Sequence, residues 1–162
     1  MAGEISTAGI VIKYAVETTA GTRPTTGYKE KATGATLNIA DYVTGISGLG
    51  ADYDMYDVTP LSERVRHRFI KGLMSNDGNL SLSANINPTS RADWALIVAD
   101  YAALTEGKGM WFEFTMPNDT QSVYFRGEPC AVAFPDVESA SAVQGNLQII
   151  ENEYAGWQAA ST

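Results

Sequence analysis

From Leu80 to Ile86 every second residue is apolar: Leu80, Leu82, Ala84 and Ile86 alternate with Ser81, Ser83 and Asn85. Side chains of a strand point to opposite faces in turn, so this period commits the segment to a half-buried β-strand with one apolar and one polar, uncharged face. The same alternation runs through Ile10, Ile12, Tyr14 and Val16, and restarts at Leu37 and Ile39. It returns in Met110, Phe112, Phe114 and Met116, and in Leu147 and Ile149 against Gln144, Asn146 and Gln148. Short alternating segments in this number are best satisfied by antiparallel sheets that share one apolar core.

The intervening residues punctuate these strands. Asn76-Asp77-Gly78 is turn chemistry placed directly before Leu80. Thr18 to Gly34, rich in Thr and Gly, reads as an exposed connection, and Asp41 to Gly50 breaks the alternation with three glycines. Pro117 to Thr120 offers a reversal into a strand at Ser122 to Arg126, giving a hairpin. Only one segment carries the helical period: Trp94, Ile97, Val98, Tyr101 and Leu104 form a stripe from which Asp93 and Asp100 fall away. The helix is predicted to begin at Thr89 or Ser90, with Ser90 as its cap, Asp93 near the positive end of its dipole and Gly107 near its C-terminus. Ala155 to Thr162 reads as a small, polar tail apart from Trp157. The fold class predicted is mainly β, an antiparallel β-sandwich or partly open barrel with one flanking α-helix, formed by residues 1–162 as a single domain.

Much chemistry is excluded. Cys130 is the only cysteine and His67 the only histidine of 162 residues, so no intrachain disulfide, multi-thiolate or multi-histidine metal site is possible. Cys130, beside Ala131 and Val132, reads as a small buried apolar side chain. His67 lies within Arg64-Val65-Arg66-His67-Arg68 and reads as a solvated loop histidine. No Gly-x-Ser-x-Gly elbow, phosphate loop or dinucleotide fingerprint occurs. Asp52, Asp54 and Asp57 lack the central glycine and distal glutamate of a calcium loop. No cofactor and no enzymatic activity are therefore expected. The N-terminus shows no basic stretch followed by an apolar one, and no apolar run approaches the ~18 residues of a spanning helix, so a soluble, unsecreted protein without membrane insertion is expected. The formal net charge of −8 opposes adhesion to nucleic-acid phosphates.

The order of charges around Thr59-Pro60 is more informative. Asp52, Asp54 and Asp57 precede it, and Arg64, Arg66, Arg68 and Lys71 follow. If both arms are extended, the three arginines project from one face. They then serve as a partly self-neutralised surface loop, a contact to another subunit, or a contact to DNA.

The series Asp57-Val58-Thr59-Pro60-Leu61, the basic run Arg64 to Arg68, Gly72-Leu73, Gly109-Met110-Trp111-Phe112-Glu113-Phe114 and Val123-Tyr124-Phe125-Arg126-Gly127 resembles, in its order over Ile10 to Ile149, the major tail tube protein of long, non-contractile-tailed bacteriophages. The resemblance implies a two-sheet sandwich with a flanking helix, an N-terminal arm at 1–9, a long assembly loop at about 44–76 and a C-terminal tail at 155–162. It further implies a homo-oligomer of hexameric rings stacked into a virion tail tube, assembled in the bacterial host cytoplasm. Tape-measure, tail terminator and tail-tip proteins would be its partners, and DNA would pass through the lumen without specific binding. By the same resemblance Asp54, Tyr56, Asp57, Thr59, Pro60, Leu61, Arg64, Arg66 and Arg68 are candidate contacts between rings or subunits. Six copies would carry roughly −48, favouring an acidic lumen along which DNA slides. Tube proteins of contractile phages and of the type VI secretion apparatus share this architecture. The rival reading from another class is a carbohydrate-binding sandwich that stacks exposed Trp111 or Trp157 on a sugar ring. Rich in glycine and charge, Thr44 to Asn76 is expected to be mobile in a monomer and to order on assembly.

Overall fold

The computed structural model describes residues 8–50, 52–75 and 79–161. The described residues form β1 (Val11–Val16), β2 (Val43–Ser47), β3 (Asp52–Asp57), β4 (Phe69–Ser75), β5 (Asn79–Asn85), α1 (Pro88–Ala102), β6 (Met110–Thr115), β7 (Gln121–Pro129) and β8 (Gln144–Ala159). A 3-10 turn at Ile39–Asp41 precedes β2. Six strands make one antiparallel sheet in the order β1-β6-β7-β8-β5-β2, and β3 pairs with β4 alone. The sheet is strongly curled: Ile46 to Leu49, at the end of edge strand β2, share a hollow with Phe114 of β6 and Val123 of β7. The protein is thus mainly β, with α1 flanking a curled sheet, as the alternating strands imply.

The core lies on the inner face of that curl. Ile12 and Tyr14 of β1, Phe112 of β6, Phe125 of β7, Leu147 and Ile149 of β8 and Leu80 and Leu82 of β5 meet Trp94 and Ile97 of α1. Phe125 stacks on Phe112 at 5.3 Å between centroids and takes Phe114 edge-on at 5.2 Å. Burying the polar end of Trp94 requires a partner, and its Nε1 donates to the Cys130 carbonyl at 2.7 Å.

The strand at Leu80 to Ile86 is formed as its alternation requires, with Leu80, Leu82 and Ala84 fully buried. The turn at Asn76-Asp77-Gly78 and the first seven residues of the predicted N-terminal arm lie outside the described residues. Elsewhere tertiary context overrides local signals. The glycine-broken stretch at Asp41 to Gly50 contains β2, because Gly45 fits a bulge opposite Ser83 and Gly48, at φ +86°, ends the strand against the Asn79 carbonyl. A β-carbon on Gly48 would come within 2.5 Å of that oxygen.

The helix begins earlier than Thr89 or Ser90. Asn87 is its cap, accepting the Ser90 N–H at 2.8 Å while Ser90 Oγ accepts the Asn87 N–H at 2.9 Å, and Pro88 occupies the first helical position, where no N–H is needed. Asp93 is buried instead of serving the dipole, its two oxygens accepting the backbone N–H groups of Thr36 and Leu37 at 3.0 Å. The helix ends at Ala102, ahead of the turn in which Gly107 takes φ +83°.

The second departure is larger. In β6 the polar-side residues Trp111 and Glu113 are as buried as the apolar ones. The reason is a cover over the outer face of β1, β6 and β7. Part of the connection at Thr18 to Gly34 lies there: Arg23 stacks over the Tyr124 ring at 4.4 Å and Tyr28 meets it edge-on at 5.5 Å. Residues 155–159, read from sequence as tail, continue β8 against β7, and Arg23 Nη2 donates to Gln158 Oε1 at 2.7 Å. Trp111 therefore offers no platform to a sugar. Cys130 is half-buried.

The Arg126 guanidinium lies across Gly109 where a side chain would stand, held there by Glu17 at 3.1 Å. Gly109→Ala is expected to destabilise the fold by about 1–3 kcal/mol through overpacking. Thermal unfolding checks this, and an unchanged Tm would contradict it.

Candidate assembly surface

The β2–β5 pairing (Ser47 opposite Ser81) continues outward as the β3–β4 pairing (Asp52 opposite Ser75), so the chain makes one long, interrupted hairpin. Only its inner half belongs to the sheet. Six strand residues at about 3.3 Å each carry the outer half some 20 Å further. Among the described residues the outer half has no core of its own: Tyr53, Met55, Tyr56, Phe69, Ile70 and Leu73 are all exposed. Two paired strands alone are marginal in water, so an arm with apolar side chains on both faces is most stable when something covers it.

Local contacts stiffen the arm. Lys71 Nζ sits 3.6 Å from the centroid of the Tyr53 ring, and the Tyr56 ring lies over Gly72, where any β-carbon would displace it. The tip, 58–68, is turn and irregular chain. Asp57 Oδ1 accepts both the hydroxyl and the backbone N–H of Thr59, the latter at 2.9 Å, and Thr59 Oγ1 accepts the Arg68 N–H at 2.8 Å. Val58 N–H donates to the Arg68 carbonyl at 2.9 Å, closing the base of the tip. The Thr59 hydroxyl, then its N–H, hold the Asp57 carboxyl below its ordinary value, and His67, whose Nδ1 lies 3.4 Å away, acts in the same direction.

The predicted contact residues divide accordingly. Asp54 and Tyr56 lie on one face of β3, and Asp57 on the other begins the tip with Thr59, Pro60 and Leu61. Leu61 and Val65 are 107 % and 88 % exposed. The three arginines do not project from one extended face, because β4 starts only at Phe69. All three are exposed, but Arg68 pairs with Glu63 at 3.0 Å, whereas Arg64 and Arg66 have no ion-pair partner among the described residues. Among the described residues no group of acidic, histidine or cysteine side chains is arranged to hold a metal, and His67 is exposed.

Sequence reasoning missed the two buried carboxylates that hold the covered face. Glu17 Oε1 accepts Trp111 Nε1–H at 2.8 Å and faces Arg126 Nε at 3.1 Å, and its Oε2 accepts the N–H groups of Gly21 and Gly109 at 2.8 and 3.0 Å. Burial pushes this carboxyl up, but Trp111, the two N–H groups and Arg126 together outweigh it and hold it below the ordinary range. Glu113 fastens the C-terminal end, accepting the Ser161 N–H at 3.0 Å, the Ser161 hydroxyl at 2.5 Å and the Tyr124 hydroxyl at 3.1 Å. Burial again opposes its ionisation, and the hydroxyl and N–H of Ser161, with Ser122 and Tyr124, hold it low. Their only signal in the sequence was a carboxylate at an otherwise strand-like position.

No protein-family model and no curated protein matches the chain. Solved structures do. A chain of the cryo-EM structure of the anti-feeding prophage baseplate aligns with a TM-score of 0.61 at 10 % identity, covering 100 % of both chains. A chain of the anti-feeding prophage cap, which terminates the tube, aligns at 0.57 and 15 % identity, covering 99 % of this chain and 94 % of that one. A chain of the sheath/tube terminator of an extracellular contractile injection system aligns at 0.52 and 15 % identity over 92 % of this chain and 94 % of that one. The protein shares, along nearly its whole length, a fold found in contractile injection particles.

Proposed function

We propose that the protein is a non-enzymatic structural subunit of the tube of a tail-like particle, polymerising as hexameric rings that stack. The exposed apolar arm β3–β4 carries this reading, because it is a surface that needs cover and projects far enough to find it on a neighbouring copy. Sheet edges support it as well: among the described residues β2 has a free edge, while β1 is partly capped by the paired backbone bonds between Tyr14 and Lys29. The structural likenesses favour a contractile particle over the non-contractile tail suggested by the order of sequence elements. Partners are then further copies, a tape-measure protein, a terminator and the tip or baseplate, and cargo passes through the lumen.

The test is electron microscopy with light scattering over a concentration series. Rings or hollow tubes of uniform width are expected; sheets or amorphous particles with no ring would refute the reading. Since Arg64 and Arg66 present the tip's outward charge, R64S/R66S/R68S is expected to weaken stacking severalfold with the monomer's Tm nearly unchanged. Normal tube growth by that variant would remove the charge from the contact. Hydrogen exchange should show 58–68 weakly protected in the monomer and strongly protected in the polymer, and equal protection in both would count against the arm.

A further inference from the structure

A different surface, which plays no part in the assembly argument, is unusual in its chemistry. Where the first half of β8 meets β5, the outward residues are amides and hydroxyls: Ser81, Ser83, Gln144, Asn146 and Gln148, with the exposed Ile150 next along β8. A protein surface commonly carries charge at about 25–35 % of its positions, yet these neighbouring positions have none in a chain whose net charge is −8. The register sets them side by side, Ser81 opposite Gln148 and Ser83 opposite Asn146.

Beside this array the segment after β7 runs along β8, its Cys130 N–H donating to the Gln148 carbonyl at 2.9 Å, and forms a wall. Phe134, Pro135 and Asp136 face Gln144, Asn146, Gln148 and Ser83 across an open groove of about 310 Å³. The segment is anchored on the other side of the strand: Gly145 pairs with the buried Ala84, and Pro135 lies beside Ile86, 3.2 Å from where a β-carbon on Gly145 would point toward the core. The Phe134 ring is 91 % exposed at the rim. Few of the polar groups satisfy one another. Ser83 Oγ reaches Asn146 Oδ1 only at 3.4 Å and Gln144 Nε2 reaches Asn85 Oδ1 at 3.3 Å, while the side chains of Gln148 and Asp136 have no partner among the described residues.

From this arrangement we propose that the groove between β8 and the Phe134–Asp136 segment is a binding site for a neutral saccharide. The absence of cationic groups gives nothing to hold a phosphate or sulfate, and an apolar ligand would strand the amides without water. Vicinal hydroxyls are both donors and acceptors, so they match carboxamides, which offer both functions, and Asp136, which accepts. The C–H face of a pyranose covers an aromatic ring, the role left to Phe134. A groove of this volume lies at the lower end of ligand-site sizes, about 300–1,000 Å³, and suits one or two rings. The site is separate from Trp111, which is buried, and from Trp157, which lines a hollow elsewhere.

The test is an amide-resolved NMR titration of the full chain with chitotetraose, cellotetraose and maltotetraose in turn, each to 10 mM. At least one is expected to shift Ser83, Phe134 and Gln144 to Gln148 saturably, with affinity falling at least tenfold in Phe134→Ala and in Gln148→Ala. Both positions are surface-exposed, so unchanged spectra elsewhere will show that the variants fold. No saturable shift with any of the three, shifts centred on Trp157, or binding unaffected by both substitutions would overturn the site. So would tighter binding of inorganic phosphate or of a polar peptide at the same residues. Ring or tube formation is scored separately, so failure of the groove and failure of the tube reading are distinguishable.

Discussion

Replacing Glu17 with alanine is expected to destabilise the fold by about 3–5 kcal/mol, the usual cost of removing one partner from a buried charged group. The substitution leaves the Arg126 guanidinium facing a void, and the Trp111 indole N–H and the backbone N–H groups of Gly21 and Gly109 lose their acceptor. Glu17→Gln keeps the shape and one acceptor oxygen, so its cost should be smaller, about 1–3 kcal/mol. For a chain of this size the alanine variant should melt about 10 °C or more below the parent. A Tm within 1 °C of the parent would show that the node holds nothing together. The sign with pH follows from the depressed carboxyls of Glu17 and Glu113. Their contribution is complete above the ordinary glutamate value of about 4.3 and is lost as pH falls through their lower folded values. The parent should therefore lose stability in acid more steeply than Glu17→Gln, whose side chain does not titrate.

The second large effect concerns assembly. Leu61 and Val65 stand free at the tip of the arm, so L61S/V65S removes nothing that the monomer packs. Surface changes of this kind usually shift stability by no more than about 0.5 kcal/mol. Burying an aliphatic side chain in a contact contributes about 1.5–3 kcal/mol, and each 1.4 kcal/mol is tenfold in affinity. The double variant should raise the concentration at which rings stack at least tenfold with its Tm unchanged. Stacking at the parent's concentration would move the contact away from the tip, and a fall in both Tm and stacking would mean that the arm serves the monomer instead.

The strands at β1, β5, β6 and β8, the hairpin at Pro117 to Thr120 and the existence of one helix were legible because each depends on a local period. The start of the helix was legible in principle: Asn87 with Ser90 three residues on, and Pro88 between them, is a capping arrangement. β2 was hidden because three glycines weaken the local signal, and only the ladder offered by β5 makes a strand of Val43 to Ser47.

By itself, the sequence determined the class of the fold and the absence of multi-residue thiol and histidine chemistry, since both depend on what residues are present and at what spacing. It also set apart the charged, apolar segment around Thr59-Pro60. The tertiary structure alone decided which polar residues are internal. Glu17, Asp93 and Glu113 become anchors because donors from distant parts of the chain converge on them, and no local pattern specifies that convergence. The same is true of Trp111, buried by a cover drawn from Thr18 to Gly34 and the end of β8. Period reports which face a residue occupies; whether that face meets water, another segment or another subunit depends on contacts far away in the chain.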